Sequence, residues 1–356
     1  MGDIDKTYSA DPMTIPGFTY DSTVTGTVTS GKLTADGLEL KLYYTRNSYP
    51  YQVRYLEQGT GTQLADPKNG TGKYGEVISE SAIDITNYTA VDPTSQTLNI
   101  RIEESTEAKL NIITFYYTEK EVTINYVAVG PEGLDTDGTP KATEAGTVTP
   151  TSETLKVLSG TAQGSTAAVS STTYKFVGWF TDAACTTPVV TDGTGNVPVD
   201  GVLSDDGLTF TPAKKTETST APAHYESATY YAKFDWNVST LTITKSGMES
   251  NESAIFQVTA TTADDQPKTF TVAVNNGQSV KISGLIIGSE YTVTEVGDWT
   301  WRYKTTGTYS GKIQAAGSTV TITNEKDTNK WLYDESSVKN KFDTVTETEV
   351  SDDDEE

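Results

Sequence analysis

Apolar and polar residues alternate with a period of two along much of the chain. Clear examples are Leu241–Thr244 (LTIT), Tyr291–Thr294 (YTVT) and Val320–Thr323 (VTIT). In a β-strand, successive side chains point to opposite faces, so each run has one apolar face and one threonine-rich face. Gly, Pro, Asn and Asp separate the runs, as expected for turns. The pattern therefore predicts an all-β chain of short, half-buried strands.

The pattern also repeats within the first third of the chain. The run Leu40–Thr45 (LKLYYT) returns as Ile113–Thr118 (ITFYYT), an offset of 113 − 40 = 73 residues. Upstream, Ile15–Tyr20 has a counterpart in Ile85–Thr89. A repeat of this period indicates serial modules, and it places the start of the chain inside a truncated first copy.

The complete copy contains four segments with a family resemblance, namely Tyr51–Glu57, Thr60–Leu64, Gly70–Glu76 and Phe115–Tyr117. Together they resemble the mucin-binding protein (MucBP) repeat of Gram-positive surface proteins. The resemblance implies a β-grasp-like or sandwich module on an adhesin stalk, and some family members bind mucin glycans. Tyrosines on strands more often pack in cores than against sugars, so we expect most of these tyrosines to be core residues.

The next part of the chain resembles the Listeria-Bacteroides repeat, a small β module of bacterial surface stalks. The resemblance rests on Thr173–Asp182, Cys185–Val189 and Thr229–Phe234. This copy is longer than is usual for the family. The additional segments are rich in small and turn-forming residues and are predicted to be loops. They are Thr161–Ser171, Thr191–Val202 and Lys214–Ala223.

Three polar residues occur in the apolar phase of predicted strands. Lys245 follows Leu241 and Ile243 at the same spacing of two, and Glu295 and Asn324 end two other strands in the same way. The phase predicts that all three side chains point into the core. Burial favours the neutral form of lysine, which is a nucleophile, and a carboxamide carbon can accept its attack. A buried carboxyl group can polarise the carbonyl and shuttle protons.

The segment that carries these residues resembles the collagen-adhesin B-type (CnaB) domain, which is also found in pilins. The resemblance implies an autocatalytic isopeptide bond between Lys245 and Asn324, with Glu295 as the proton shuttle. The approach Gly284–Tyr291 also resembles the family pattern. The alternative is that the three residues end their strands in water, where a Lys–Glu pair contributes little. The segment Trp299–Tyr303 is interpreted as a hydrophobic lid over the site.

Composition excludes several classes of function. The chain has 26 basic and 49 acidic residues, a net charge of −23, which argues against nucleic acid as a partner. The single cysteine, Cys185, excludes an internal disulfide, and the single histidine, His224, excludes a multi-histidine metal site. A catalytic dyad of these two residues is disfavoured because no third residue orients it. The acidic groups Asp135–Gly138 and Asp192–Gly193 lack the rest of an EF-hand loop and are interpreted as turns.

The predicted organisation is therefore a series of small β modules in an elongated, monomeric rod. The predicted modules are a partial MucBP-like repeat (1–48), a MucBP-like repeat (49–120), a Listeria-Bacteroides-like β repeat with loop insertions (121–237), a CnaB-like Ig-type β-sandwich (238–326) and an acidic disordered tail (327–356). Neither a signal peptide nor a run of about 20 apolar residues is present in the sequence given.

The leading functional hypothesis is a structural or adhesive stalk segment on a bacterial cell surface or cell wall. It is expected to need no cofactor or metal and to catalyse nothing except its own cross-link. The alternative is a module that binds mucin directly, and the MucBP resemblance implies mucin, other host glycans or extracellular matrix as partners.

Overall fold

The computed structural model describes residues 2–102, 111–192, 199–215, 222–297, 302–304 and 307–327. Its regular elements in these ranges are all β-strands, which confirms the predicted all-β class. The chain forms two compact units. The first comprises Met1–Tyr126, Pro150–Ser165 and Val189–Thr229, and the second comprises Val127–Thr149, Thr166–Pro188 and Tyr230–Glu356. The acidic tail predicted for 327–356 lies outside the described residues, apart from Asp327.

The first unit begins with the first copy of the repeat. Its strands are β1 (Thr7–Ser9), β2 (Phe18–Tyr20), β3 (Ser30–Lys32) and β4 (Tyr44–Arg46). They pair as two small antiparallel sheets, β1 with β3 and β2 with β4. Because each sheet has only two strands, the apolar side chains of this copy are incompletely covered.

The complete copy follows, and it has a full core. Its strands are β5 (Ser48–Glu57), β6 (Gln63–Lys73), β7 (Val77–Ser81), β8 (Tyr88–Ala90), β9 (Ser95–Asn99) and β10 (Ile112–Glu119). A four-stranded sheet runs in the order β6-β5-β10-β8, and β7 pairs with β9. The inward residues of β5 and β10 form the core with Ile100, and they are Tyr51, Val53, Tyr55, Ile113, Phe115 and Tyr117.

The two copies share the same strand register. Phe18 pairs with Arg46 in the first copy, and Tyr88 pairs with Glu119 in the second. A tyrosine hydroxyl at the equivalent position accepts a backbone N–H in each copy, Tyr44 from Met13 at 2.8 Å and Tyr117 from Ile83 at 3.1 Å. The internal repeat predicted from the sequence is therefore present in the structure.

Consecutive copies are connected by a single residue. Asn47 lies between β4 and β5; its N–H donates to Gly17 O at 2.9 Å, and its C=O accepts from Tyr74 N at 2.8 Å. Lys120 lies between β10 and the next strand, and it donates to Asn87 O at 2.9 Å and accepts from Val157 N at 3.0 Å. Each connecting residue is therefore hydrogen-bonded to both the preceding copy and the following segment.

Glu119 stabilises the second of these connections, the one at Lys120. Its buried carboxylate accepts hydrogen bonds from Ser159 N at 2.8 Å, from Ser159 Oγ at 2.7 Å and from Leu158 N. Burial raises the pKa of this carboxyl, but the hydrogen bonds outweigh burial and leave the pKa below its usual value.

The middle part of the chain contains further short strands. They are β11 (Glu121–Val129), β12 (Gly146–Thr149), β13 (Ser152–Lys156), β14 (Ser165–Val169), β15 (Tyr174–Phe180), β16 (Gly201–Leu203), β17 (Thr209–Pro212) and β18 (Ala228–Trp236). In the first unit, β11 pairs with β13 and β16 with β17; in the second, β12 pairs with β14 and β15 with β18. All four pairs are antiparallel.

The prediction of a loop over Thr161–Ser171 is wrong for Ser165–Val169, because this segment is β14. Its residues are small, but strand pairing with β12 uses backbone groups that do not depend on side-chain size. Gly201 and Val202, also predicted to be in a loop, begin β16. Residues 193–198 and 216–221 of the predicted loops lie outside the described residues.

The second unit ends in a β-sandwich. Its strands are β19 (Val238–Ser246), β20 (Ser253–Thr261), β21 (Pro267–Asn275), β22 (Ser279–Ile286), β23 (Glu290–Glu295), β24 (Thr308–Lys312) and β25 (Ser318–Thr323). One sheet has the order β22-β19-β25 and the other β21-β20-β23-β24. The inward residues of both sheets form one core, which includes Leu241, Ile243, Phe256, Val258, Val293 and Ile322. This sandwich holds the candidate site between its sheets.

Candidate functional site

The site lies at one end of the sandwich core. Strand β19 alternates buried and half-buried positions, and after Leu241 and Ile243 the next buried side chain is Lys245, which is 0% exposed. The ammonium nitrogen Nζ donates to two backbone carbonyl oxygens, Ser246 O at 3.0 Å and Ile322 O at 3.4 Å. The Lys245 side chain is thus completely buried, with its ammonium group on backbone carbonyl oxygens.

Asn324 reaches the same region from the neighbouring strand. β25 runs parallel to β19, with Lys245 opposite Ile322, and Asn324 follows the strand directly. Its backbone N–H donates to Ser246 O at 3.0 Å, which fixes the chain beside Lys245. The Asn324 side chain is buried, with 2% exposed.

Glu295 faces these residues from the opposite sheet. It is the last residue of β23, follows the buried residues Tyr291 and Val293 in phase, and is 7% exposed. Its Oε1 accepts a hydrogen bond of 2.7 Å from Asn324 Nδ2. The structure therefore brings Glu295 to the carboxamide of Asn324. The interpretation of the three residues as strand ends in water is wrong, because all three are buried.

Burial determines the electrostatics of the site. It lowers the pKa of Lys245, because the charged ammonium loses its hydration, and the nearby Glu295 carboxylate opposes this effect only in part. The carbonyl oxygen Oδ1 of Asn324 is buried and accepts no hydrogen bond from any described residue. A buried acceptor without a donor is energetically costly.

Gly247 determines how closely the chain after β19 approaches Asn324. Its φ of +81° is in the left-handed region, and a Cβ at this position would lie 2.2 Å from Asn324 O and 2.9 Å from Asn324 N. Only glycine permits this approach. Gly247 is not among the site residues predicted from the sequence, although a glycine two positions after a strand-end lysine is a recognisable signal.

A second group of polar contacts closes the same end of the sandwich. Tyr303 is 3% exposed, donates its hydroxyl hydrogen to Glu252 and forms a bridge with Lys326, two residues beyond Asn324. The pKa of Tyr303 is raised to about 12. Burial is the larger cause, and the hydrogen bond to Glu252 is the second. Trp299 and Trp301 of the predicted lid lie outside the described residues.

The other candidate residues, Cys185, His224 and Asp137, lie in surroundings that favour structural roles over catalysis. Cys185 is buried, and burial raises the pKa of its thiol to about 11, so it is a poor nucleophile at neutral pH. His224 Nδ1 contacts Pro222 O at 2.8 Å. Asp137 caps its turn by accepting from Thr139 N at 3.0 Å.

The described residues contain neither a group suited to a metal ion nor a membrane-spanning helix. No group of three or more His, Cys, Asp or Glu side chains among them is arranged to hold a metal ion. The described part of the chain contains no helix of the length and apolarity needed to cross a bilayer.

The repeat tyrosines divide into buried and exposed sets. Tyr55 and Tyr117 are 3% and 1% exposed, and the ring of Tyr55 stacks on Phe115 and meets Tyr117 edge-on, as predicted for core residues. Tyr43 and Tyr116, at equivalent positions of the two copies, are 39% and 45% exposed. The two copies thus share one exposed tyrosine at the same position of the repeat.

Two known families match parts of the chain. Residues 1–45 and 51–154 match the MucBP domain. The N-terminal part of the chain is MucBP-like. This match confirms the predicted resemblance and is consistent with a surface adhesin or stalk protein. Residues 213–326, which include the Lys245 site, match a domain of unknown function, DUF7601.

Solved structures resemble the chain only distantly. The Bacillus anthracis TIE protein is 12% identical, with 81% of this chain and 54% of that chain covered and a TM-score of 0.39. The pilus adhesin SpaC of Lactobacillus rhamnosus GG is 11% identical, with 82% and 44% covered and a TM-score of 0.29. A minor pilin of Streptococcus agalactiae is 12% identical, with 58% and 96% covered and a TM-score of 0.23.

The chain thus spans about half the length of the Bacillus anthracis protein, 54% of it. A comparison with curated proteins found no match.

Proposed function

We propose that this chain is a segment of a surface adhesin or stalk of a Gram-positive bacterium, in which MucBP-like repeats precede a CnaB-like sandwich cross-linked by a Lys245–Asn324 isopeptide bond. The observation that carries the cross-link is the buried group of Lys245, Glu295 and Asn324, with the Asn324 amide hydrogen-bonded to Glu295 at 2.7 Å. The MucBP match supports the surface role and an extracellular location.

The proposed reaction needs only these three side chains. The neutral Lys245 amine attacks Cγ of Asn324; the Nζ–Cγ bond forms, the Cγ–Nδ2 bond breaks, and ammonia leaves. Glu295, in its protonated form, donates to Oδ1 and so polarises the carbonyl. It then carries one proton from Nζ to the departing Nδ2, so it is unchanged at the end. Rigid positioning between two sheets supplies much of the acceleration.

The cross-link suits an extracellular stalk without cystines. One buried cysteine cannot form an internal disulfide, and the isopeptide bond would supply a covalent cross-link outside the cell in its place. The proposal includes no other chemistry: the chain acts on itself once and is not an enzyme with an external substrate. Mass spectrometry of the intact protein tests the cross-link directly, since ligation removes one ammonia.

Substitution of Gly247 by alanine is expected to slow ligation by about a hundredfold, because a misplacement of about 1 Å costs that much in a positioned reaction. The added Cβ would push against Asn324, 2.2 Å from its carbonyl oxygen. The rate is measured as ammonia loss over time when protein recovered unfolded and unligated from inclusion bodies is refolded, since denaturant does not break a bond that has already formed.

Gly277→Ala is the matched control for this variant. Gly277 has a φ of +79° and no heavy atom within 4 Å of an added Cβ, so alanine causes the same backbone strain without touching Asn324. Equal ligation rates in the two variants would contradict a positioning role for Gly247, and circular dichroism checks that both variants are folded.

Direct binding of mucin glycans is the second candidate function, and the repeated exposed tyrosine favours it. Tyr43 and Tyr116 occupy equivalent positions, and aromatic faces of this kind can stack on sugar rings. The MucBP match provides the connection to glycans, since the C-terminal sandwich carries no such match.

If the repeats bind mucin, the double variant Tyr43→Ala with Tyr116→Ala should lose retention on immobilised mucin. The variant Tyr8→Ala, which removes another exposed tyrosine of the first copy, serves as a control for general loss of aromatic surface. Retention of the first variant equal to that of the parent would exclude these two tyrosines from binding. Retention by residues 238–326 would assign binding to the other unit.

A further inference from the structure

Three short segments outside the sandwich core follow the strands that carry the site. Residues 247–252 follow β19, residues 302–304 lie between β23 and β24, and residues 325–327 come after β25. Each segment therefore continues the chain from one of the three buried polar residues. Hydrogen bonds connect all three segments to one another, and these bonds are described next.

The backbones of segments 302–304 and 325–327 pair with each other. The pairing centres on the antiparallel bridge between Tyr303 and Lys326. It begins directly after Asn324, so the course of the chain at Asn324 depends on it. Two backbone hydrogen bonds flank the bridge, from Lys304 N to Glu325 O at 2.9 Å and from Asp327 N to Arg302 O at 2.8 Å.

The Tyr303 side chain connects this pair to the third segment. Its hydroxyl donates to Glu252 and accepts the N–H of Glu249 at 3.2 Å. The Glu252 carboxylate also accepts the N–H of Glu249 at 3.2 Å and a hydrogen bond of 3.3 Å from Arg302 Nη1. Because the pKa of Tyr303 is raised to about 12, its hydroxyl keeps its proton and remains a donor at neutral pH.

Burial indicates which of these contacts is the strongest. Tyr303 is 3% exposed and the Glu252 side chain 23%, so solvent screens their hydrogen bond only weakly, and a charged acceptor strengthens it. Lys326 Nζ and Glu249 Oε1 also connect two of the segments, at 2.8 Å. Their side chains are 41% and 50% exposed, and an ion pair of this kind contributes little.

We propose that Tyr303 and Glu252 are positioning residues for the ligation, an inference that rests on the proposed isopeptide bond. Their hydrogen bond holds segment 325–327 against the segment that follows Lys245. It thereby fixes the distance between the Lys245 amine and the Asn324 carboxamide. Both residues act through the backbone of these segments and not on the reacting atoms.

The experiment follows ammonia loss by mass spectrometry while the full chain, recovered unfolded and unligated from inclusion bodies, is refolded. Tyr303→Phe should slow ligation by about ten- to a hundredfold, because a misplacement of about 1 Å costs about a hundredfold. The final mass should still be one ammonia below the sequence mass, since the three reacting side chains are unchanged. Circular dichroism checks that folding is complete before the rates are compared.

Tyr291→Phe is the matched control. Tyr291 belongs to the same sandwich and is 8% exposed, and its hydroxyl forms no hydrogen bond with any residue that the structure describes. This variant loses the same atom from a buried tyrosine but leaves the three segments connected. It should ligate at the parental rate.

Variants of Glu252 separate positioning from a general loss of packing. Glu252→Ala removes the acceptor of the Tyr303 hydroxyl and should slow ligation at least as much as Tyr303→Phe does. Glu252→Gln keeps an acceptor oxygen of the same reach and should restore most of the rate. The double variant Tyr303→Phe with Glu252→Ala should be no slower than Glu252→Ala, because both changes break one interaction.

The results distinguish this inference from the proposed function. A parent protein that keeps its full mass would refute the isopeptide bond, and the positioning role with it. If the parent ligates, a parental rate in Tyr303→Phe would overturn the positioning role alone. The same conclusion would follow if Glu252→Gln were as slow as Glu252→Ala, and that comparison decides the matter if Tyr303→Phe does not refold.

Discussion

Replacement of Lys245 by methionine is expected to abolish the cross-link, so that the variant has its full sequence mass while the parent weighs one ammonia less. Methionine fills a similar volume in a site that is 0% exposed, and it removes the nucleophile together with the two hydrogen bonds of Nζ. A tryptic digest of the parent should contain a branched peptide joining β19 to the segment after β25, and the variant should lack it. This is the largest covalent change predicted for the chain.

The same substitution should reduce stability. The bond would close a loop of 324 − 245 = 79 residues, and the chain-entropy relation used for disulfides gives about 4.5 kcal/mol for a loop of this length. The difference in the free energy of unfolding between the parent and the variant is measured by urea denaturation, from the transition in which the sandwich unfolds. Lys281→Met, at an exposed position of the adjacent strand β22, is the control and should keep both the mass loss and the stability. A parent protein of full mass would refute the cross-link.

Replacement of Glu295 by glutamine is expected to slow ligation by about 10²- to 10⁴-fold while the fold is retained. Glutamine has the same shape and can still contact Asn324, but it cannot carry a proton between the two nitrogens. Glu290→Gln, at an exposed position five residues earlier on β23, should ligate at the parental rate. Ligation of the Glu295 variant at that rate would exclude the proton-shuttle role.

The unligated Glu295→Gln variant also has an expected pH dependence. Burial lowers the pKa of Lys245 in the folded state, and loss of the Glu295 carboxylate removes the group that opposed this effect. Between the lowered pKa and the ordinary value of 10.5, the unfolded chain binds more protons than the folded one. Its stability should therefore rise with pH through this window and fall as the pH decreases. Urea unfolding at several pH values measures the trend.

The sequence was sufficient to predict which side chains of the site are buried. A spacing of two from Leu241, Tyr291 and Val320 placed Lys245, Glu295 and Asn324 on inward faces, and their burial follows from that phase alone. The phase within a strand carries no information about which strands face each other. The contact between Glu295 and Asn324 across the two sheets could therefore be inferred only from the family resemblance.

The mistaken loop at Ser165–Val169 has a different cause. Small residues such as Ser165 and Ala167 resemble loop composition, yet both are buried, at 1% each. The hydroxyl of Ser165 donates to Pro150 O at 2.6 Å, which satisfies its polarity inside the fold. Strand formation there depends on the pairing with β12, which is a long-range interaction that local composition does not predict.

The single-residue connections at Asn47 and Lys120 also affect how the repeats unfold. Each donates its N–H to one copy and accepts at its C=O from the next segment, so neither copy can unfold without releasing a bond of its neighbour. Because of such nearest-neighbour coupling, an array unfolds as a one-dimensional cooperative system and not as independent modules. Unfolding of one copy should therefore lower the stability of the adjacent copy, and unfolding would propagate along the array from the copy in which it starts.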